Sequence, residues 1–127
     1  MDRTQTRDSG DTSGVRQFVA DDLLGVEVAP SNGGAMVTVS PTGEVDFLTA
    51  AVLRSALLSC LQPPCTHVIV DLDEVTFLNC AGLTVLAEAR HLAEADGIRL
   101  TLRGGQLAVR RPLQLTGLWA RLTASPG

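Results

Sequence analysis

The sequence predicts an α/β domain in which about four helices pack on a mixed central β-sheet. Near the start, the Gly-rich turn at residues 31–34 separates two segments of alternating apolar residues, which indicates a β-hairpin. Further along, helix-like segments alternate with short apolar runs rich in β-branched residues. Aromatic residues make up only 3% of the chain, so Leu, Val and Ala must form the core.

The first half of the chain supplies the hairpin and one helix. Residues 24–29 and 35–40 are the two predicted strands, and residues 41–44 are expected to interrupt the second one. Residues 47–61 have a helical period with Phe47 on the apolar stripe, and Pro63 lies just beyond the predicted end of this helix.

The second half alternates strands and helices. The apolar run at 68–72 predicts a buried parallel strand, and 75–78 a second extended segment. Asn79 is a good N-cap residue, and residues 81–95 have strong helix propensity. A strand at 98–102 and a short helix at 106–115 follow, and residues 118–122 read as either a strand or a helix.

Composition and charge limit the class of protein. The net charge of −4 argues against a nucleic-acid partner, because such binding requires a positive surface. No apolar run is long enough to span a bilayer and no secretory signal is visible, so we expect a cytoplasmic protein without a membrane partner. Residues 1–20 are polar and are predicted to form a flexible tail, and residues 21–127 are predicted to form one domain.

Three motifs, in order, carry a resemblance to a known family. They are TGEVD at 42–46 with the Thr49-Ala50 pair after it, FLNCAGL at 77–83, and LQLTGL at 113–118. Over roughly residues 22–122 the chain resembles the STAS domain, and within that family the bacterial anti-sigma factor antagonists.

The resemblance implies a partner-switching module and not an enzyme. Such an antagonist binds an anti-sigma factor of the histidine-kinase-like ATPase fold and thereby releases a sigma factor. The residues that the resemblance assigns to partner binding are Gly43, Glu44, Asp46, Asn79, Cys80, Ala81, Gly82 and Leu83.

The central motif departs from the family pattern at its polar positions. Cys80 stands where the family has a phosphoacceptor Ser, Asn79 where it has Asp, and Ala81 where it has Ser or Thr. Neither Cys80 nor Ala81 offers a hydroxyl to a serine/threonine kinase. We therefore predict that phosphorylation does not switch this protein at the usual place.

Two further functions stay open at this point. One is a STAS regulatory subunit of a lipid-transport ABC ATPase complex. The other is a thiol-based redox sensor acting through Cys80, because a thiol at a helix N-terminus generally has a lowered pKa. Cys60 and Cys65 are further candidate thiols. The simplest alternative is that Cys80 is a small, inert substitute for Ser.

Catalysis and metal binding receive little support from the sequence. A nucleophilic Cys80 needs a base within hydrogen-bonding reach, but His91 is about 16 Å further along the same helix, and His67 is predicted at the opposite end of the sheet. Cys60, Cys65 and His67 do not have the spacing of a zinc site. We expect no cofactor and no metal.

Overall fold

The computed structural model describes residues 14–20 and 22–123, and from residue 24 onward the elements follow the predicted order. The strands are β1 (Arg16–Ala20), β2 (Leu24–Ser31), β3 (Met36–Val45), β4 (His67–Asp71), β5 (Val75–Leu78) and β6 (Arg99–Arg103). The helices are α1 (Ala50–Leu58), α2 (Cys80–Ala95), α3 (Leu107–Leu115) and α4 (Leu118–Thr123). The predicted α/β class is confirmed.

The six strands form one mixed sheet in the order β1-β2-β3-β4-β6, and β5 pairs with β3 outside this path. The β1/β2 and β2/β3 pairs are antiparallel, whereas β3/β4, β4/β6 and β3/β5 are parallel. The strand β3 is therefore central: it pairs with β4 near its start and with β5 at its end. The predicted hairpin and the parallel strand at 68–72 are both confirmed.

The core lies on the side of the sheet that faces the helices. Alternate residues of β3 and β4 are buried, among them Val39, Val68 and Val70. Helix α1 contributes Leu53 and α2 contributes Leu86, both fully buried. The core cluster of the described residues contains no aromatic side chain among its buried members, as the composition predicted.

An ion pair joins α1 to α2 at the surface. The Arg54 Nε and Nη2 donate to the two carboxylate oxygens of Glu88 at 2.9 and 2.8 Å, which is a bidentate arrangement. Exposed pairs of this kind add little stability, but the planar fork fixes the relative orientation of the two side chains.

Two predicted boundaries are wrong near the start of the chain. Residues 16–20 were assigned to the flexible tail, but they form the edge strand β1, in which Phe18 packs partly against the core. The rest of that prediction, residues 1–13, lies outside the described residues. Residues 41–44 were expected to interrupt the second strand, yet β3 runs through them. Pro41 lies between the pairing with β4, which ends at Val39, and that with β5, so its missing N–H is tolerated there.

Both predicted boundaries of the first helix, residues 47 and 61, are also wrong, since α1 spans Ala50–Leu58. The first helix begins at Ala50 and not at residue 47, because residues 46–49 form a separate turn. Phe47 is consequently exposed instead of lying on the packed stripe. Of the two alternatives for residues 118–122, the structure has the helix.

Gly43 allows β3 to bend where it changes partners. The register of the β3/β5 pair shifts between Gly43 and Glu44, as in a β-bulge. The φ angle of Gly43 is 122°, and a Cβ there would overlap the carbonyl oxygen of Leu23. Because an L-residue is strained at this φ and has no room for its side chain, only glycine fits.

We expect Gly43→Ala to lower the free energy of unfolding by roughly 2–4 kcal/mol, because it combines backbone strain with an overlap against Leu23. Gly25→Ala is the matched control: it lies in β2 without a positive φ, and no atom is within 4 Å of its added Cβ. Its effect should stay within about 0.5 kcal/mol. Urea denaturation of both variants measures the difference, and equal losses would contradict this role of Gly43.

Candidate functional site

The two central motifs meet at the carboxyl edge of the parallel strands. Val45, the last residue of β3, pairs with Leu78, the last residue of β5. The N–H of Asn79 donates to the carbonyl oxygen of Val45 at 3.1 Å. The structure thus places the Gly43–Asp46 segment, at the end of β3, directly beside the start of α2, at an edge where open α/β sheets commonly bind their ligands.

The loop after β3 is held by Asp46 and Thr49. The Asp46 carboxylate oxygen Oδ1 accepts hydrogen bonds from the backbone N–H groups of Leu48, at 2.9 Å, and Thr49, at 3.1 Å. In return the N–H of Asp46 donates to the Thr49 hydroxyl at 2.9 Å. This reciprocal pattern resembles a capping box and leads the chain into α1.

The Thr49 side chain also ties this loop to the end of β3. Its hydroxyl donates to the carbonyl oxygen of Glu44 at 2.7 Å, and the residue is only 1% exposed. Because a buried hydroxyl is costly without partners, this bond fixes the path of the chain between Glu44 and Thr49. The Glu44 side chain stays exposed above a rigid backbone.

Asn79 and Cys80 start the neighbouring helix. The Asn79 side-chain oxygen accepts from the N–H of Ala81 at 2.9 Å, which confirms the predicted N-cap. Cys80 is the first residue of α2, and its side chain is exposed. A substituent on Cys80 would therefore point into solvent near the end of β3.

Gly82 brings α2 close to the sheet. A Cβ at this position would lie 2.8 Å from Cγ1 of Val45 and would overlap the Leu78 side chain. Ala81 and Leu83, on either side of it, are half-buried and pack against the core cluster. Of the residues that the resemblance assigned to partner binding, Gly82 is buried and serves the packing of α2.

Acidic residues surround this edge. In the connection between β4 and β5, the carbonyl of Glu74 accepts from the N–H of Gly43 at 3.1 Å, and Asp73 Oδ1 accepts from the N–H of Gly105 at 2.9 Å. Burial acts to raise the pKa of Asp71, but hydrogen bonds from the Asp73 N–H and the Arg103 guanidinium outweigh it and hold the pKa below its usual value.

Cys60 and Cys65 are separated from this site. Cys65 precedes β4 at the opposite edge of the sheet, and both thiols are buried. The Cys60 Sγ donates to the carbonyl of Ala56 at 3.2 Å, and the Cys65 Sγ to that of His67 at 3.7 Å. Burial raises the pKa of each thiol, which disfavours the reactive thiolate.

Neither histidine lies near Cys80. His67 pairs with Met36, the first residue of β3, whereas Cys80 lies beyond the other end of that strand, near Val45. Met36 and Val45 are nine positions apart. At about 3.3 Å per residue, this separates the two side chains by roughly 30 Å. The His67 Nε2 is instead 2.9 Å from the Thr101 hydroxyl oxygen. Within the described part of the chain, no three His, Cys, Asp or Glu side chains form a group that could hold a metal ion.

Sequence reasoning missed the structural role of Thr49 and the outward turn at Phe47 and Leu48. The motif resemblance assigns Thr49 only a place in the Thr49-Ala50 pair and no structural role. The available signal was the Asp-x-x-Thr spacing from residue 46 to residue 49, which is typical of a helix N-terminus. That spacing indicates a hydrogen-bonded turn at residues 46–49, but it does not indicate that Phe47 and Leu48 face outward.

This arrangement defines the class of protein. The STAS domain family profile matches residues 27–124, so the chain belongs to the STAS domain family. The anti-sigma-F factor antagonist RsfB of Mycobacterium tuberculosis is 35% identical over 103 residues, which span 78% of this chain and 79% of RsfB. The resemblance stated from the motifs is thereby confirmed.

Solved structures have the same fold. The crystal structure of an anti-sigma factor antagonist from Mycobacterium paratuberculosis superposes with a TM-score of 0.67 at 31% identity, covering 85% of this chain and 90% of that one. The unphosphorylated antagonist SpoIIAA has a TM-score of 0.67 at 18% identity, covering 80% of this chain and 88% of SpoIIAA. Among the described helices, none has both the length and the apolar character needed to cross a membrane.

The exposure of the three thiols gives a direct test of the redox hypothesis. In the native protein, iodoacetamide should modify Cys80 alone, because Cys60 and Cys65 are buried and burial raises their pKa values. All three should react in denaturant. Peptide mass spectrometry over a time course measures each site. A Cys80 rate above that of a short cysteine peptide would support sensing, and an equal rate would support the inert substitute.

Proposed function

We propose that this protein is an anti-sigma factor antagonist that binds a serine-kinase-type anti-sigma factor and so releases a sigma factor. The observation that carries the proposal is the exposed start of α2 at Cys80 beside the rigid segment from Gly43 to Asp46 at the end of β3. The family membership and the antagonist relatives support it. The partner that fits is an anti-sigma factor of the histidine-kinase-like ATPase fold, and the complex would form in the cytoplasm.

The proposed docking surface consists of the exposed residues at the end of β3 and at the start of α2. Glu44 and Cys80 are exposed, and Asp46 and Asn79 are half-buried with their side chains engaged in capping. Gly43, Gly82 and Leu83 support this surface through their backbone and packing. A partner that contacts the end of β3 and the start of α2 would meet a surface of fixed shape. Binding would therefore need little rearrangement of this protein.

We further propose that phosphorylation does not end this interaction at position 80. A relative, SpoIIAA of Bacillus, has been solved in a phosphorylated form. A phosphate at the start of α2 would place about two negative charges and added bulk beside Glu44 and Asp46, which would disturb a closely docked partner. Cys80 and Ala81 have no hydroxyl to accept it. The complex would then be controlled by the amount of antagonist or by modification of the thiol.

Binding tests the first proposal. We expect the purified chain to bind at least one kinase-type anti-sigma factor of its own genome and to displace the sigma factor from it. Surface plasmon resonance under reducing conditions gives the affinity, and a sigma-release assay gives the function. If the chain associates with none of these anti-sigma factors but co-purifies with an ABC ATPase, the ABC-subunit alternative replaces the proposal.

Incubation with the bound kinase and ATP tests the second proposal. We expect no phosphate on residues 79–84 of the wild type, whereas the variant carrying both Asn79→Asp and Cys80→Ser should accept phosphate on position 80. The Asn79→Asp variant alone is the matched control, because it retains the thiol. Phosphopeptide mapping distinguishes these results, and a phosphate on wild-type residues 79–84 would contradict the proposal.

A further inference from the structure

The turn before α1 exposes two adjacent large apolar side chains. Phe47 and Leu48 are each 79% exposed, although their neighbours Val45 and Thr49 are buried. On the neighbouring strand, Phe77 is 48% exposed and follows Val75, which is fully buried. Phe77 lies beside Glu44 of the proposed docking surface, because the two residues pair in the β3/β5 ladder. Phe47 and Leu48 adjoin the same surface because they directly follow Asp46 in the chain.

The exposure of Phe47 and Leu48 is a property of a rigid turn. Asp46 accepts the N–H groups of Leu48 and Thr49, and the Thr49 hydroxyl anchors the turn to the carbonyl of Glu44. The two side chains therefore cannot fold back onto the core without breaking a buried hydrogen bond. A preorganised aromatic–aliphatic pair in solvent is typical of an interface anchor, because little conformational entropy is lost on binding.

A further apolar residue joins the same edge. Leu23 is 40% exposed, and its carbonyl accepts from the N–H of Glu44 at 3.0 Å. We call the set of Leu23, Phe47, Leu48 and Phe77 the apolar edge. Apolar residues that are concentrated at one edge in this way mark interaction sites, whereas single scattered ones do not.

The rim of the apolar edge is acidic. Segments 42–49 and 71–79 contain five Asp or Glu residues and no Arg, Lys or His, and Asp71 is the one of these that pairs with Arg103. Glu44 and Glu74 are exposed there. Two copies of this chain meeting through the apolar edge would bring like charges together, whereas a partner with a basic rim would be attracted. The charge thus selects a different protein over a second copy.

We propose that Phe47 and Leu48, flanked by Phe77, insert into an apolar pocket of the anti-sigma factor whose border carries Arg or Lys side chains. This inference rests on the proposed function and names the part of the docking surface that supplies most of the affinity. The residues that the family motifs point to, such as Cys80, then form the periphery of the contact. The acidic rim increases the association rate with the partner, and burial of Phe47 and Leu48 lowers the dissociation rate.

The test compares the double variant Phe47→Ala/Leu48→Ala with the wild type in binding to the cognate anti-sigma factor. We expect the dissociation constant to rise by at least about tenfold, mostly through faster dissociation. Thermal unfolding should be nearly unchanged, because both side chains are exposed. Leu92→Ala is the matched control: Leu92 is also exposed, but it lies about 18 Å from Cys80 along α2 and should leave binding unchanged.

The charged rim gives an independent readout. Glu44→Gln/Glu74→Gln should slow association and weaken its dependence on salt, with little change in the dissociation rate. If the wild type binds and the Phe47/Leu48 double variant binds equally well, the inference is overturned while the proposed function stands. If the wild type binds no anti-sigma factor, the proposed function itself fails. A wild-type dimer that the double variant converts to a monomer would assign the apolar edge to a second copy and overturn the inference.

Discussion

The hydrogen bond between the Asn79 N–H and the Val45 carbonyl joins the ends of β3 and β5, and the geometry of the site depends on it. The two chain segments that it joins are 34 positions apart in sequence, as the residue numbers show. One continues into the capped turn and α1, and the other into α2. Because both helices start from neighbouring strand ends, Glu44 at the end of β3 and the exposed Cys80 come to lie on one surface.

Two glycines make this junction possible. Gly43 lets β3 exchange one parallel partner for another, and Gly82 lets α2 approach Val45 and Leu78 more closely than any side chain would permit. Both residues belong to the motifs that carry the family resemblance, yet their roles in this structure are conformational and steric. Sequence motifs in a binding module thus include residues that build the surface as well as residues that a partner touches.

The order of elements could be predicted because hydrophobic periodicity and cap residues are local signals. Asn79 was assigned as an N-cap from its residue type alone, and the hairpin from its Gly-rich turn. The edge strand β1 could not be predicted, since residues 16–20 are mostly polar or exposed and acquire strand geometry by pairing with β2. The start of α1 was misplaced because the bond from Thr49 to Glu44 depends on how β3 ends. The exposure of Phe47 follows from that same bond.

The same distinction between local signals and long-range contacts applies to the site residues. Placing Cys80 at the start of a helix needed only local patterns, as did separating it from His91. The acidic and apolar character of the surrounding edge could not be seen in this way, because it is assembled from loops that β3 and β5 bring together. Such a surface combines residues that are distant in sequence, and the register of the sheet shows that they lie together.

The bidentate pair of Arg54 and Glu88 has a mechanical consequence for this surface. Arg54 lies about one turn after the start of α1, and Glu88 lies about two turns after the start of α2. The pair therefore connects the helix that follows the Phe47 turn to the helix that begins at Cys80. Because both side chains are partly exposed, this connection is weak and is screened by salt.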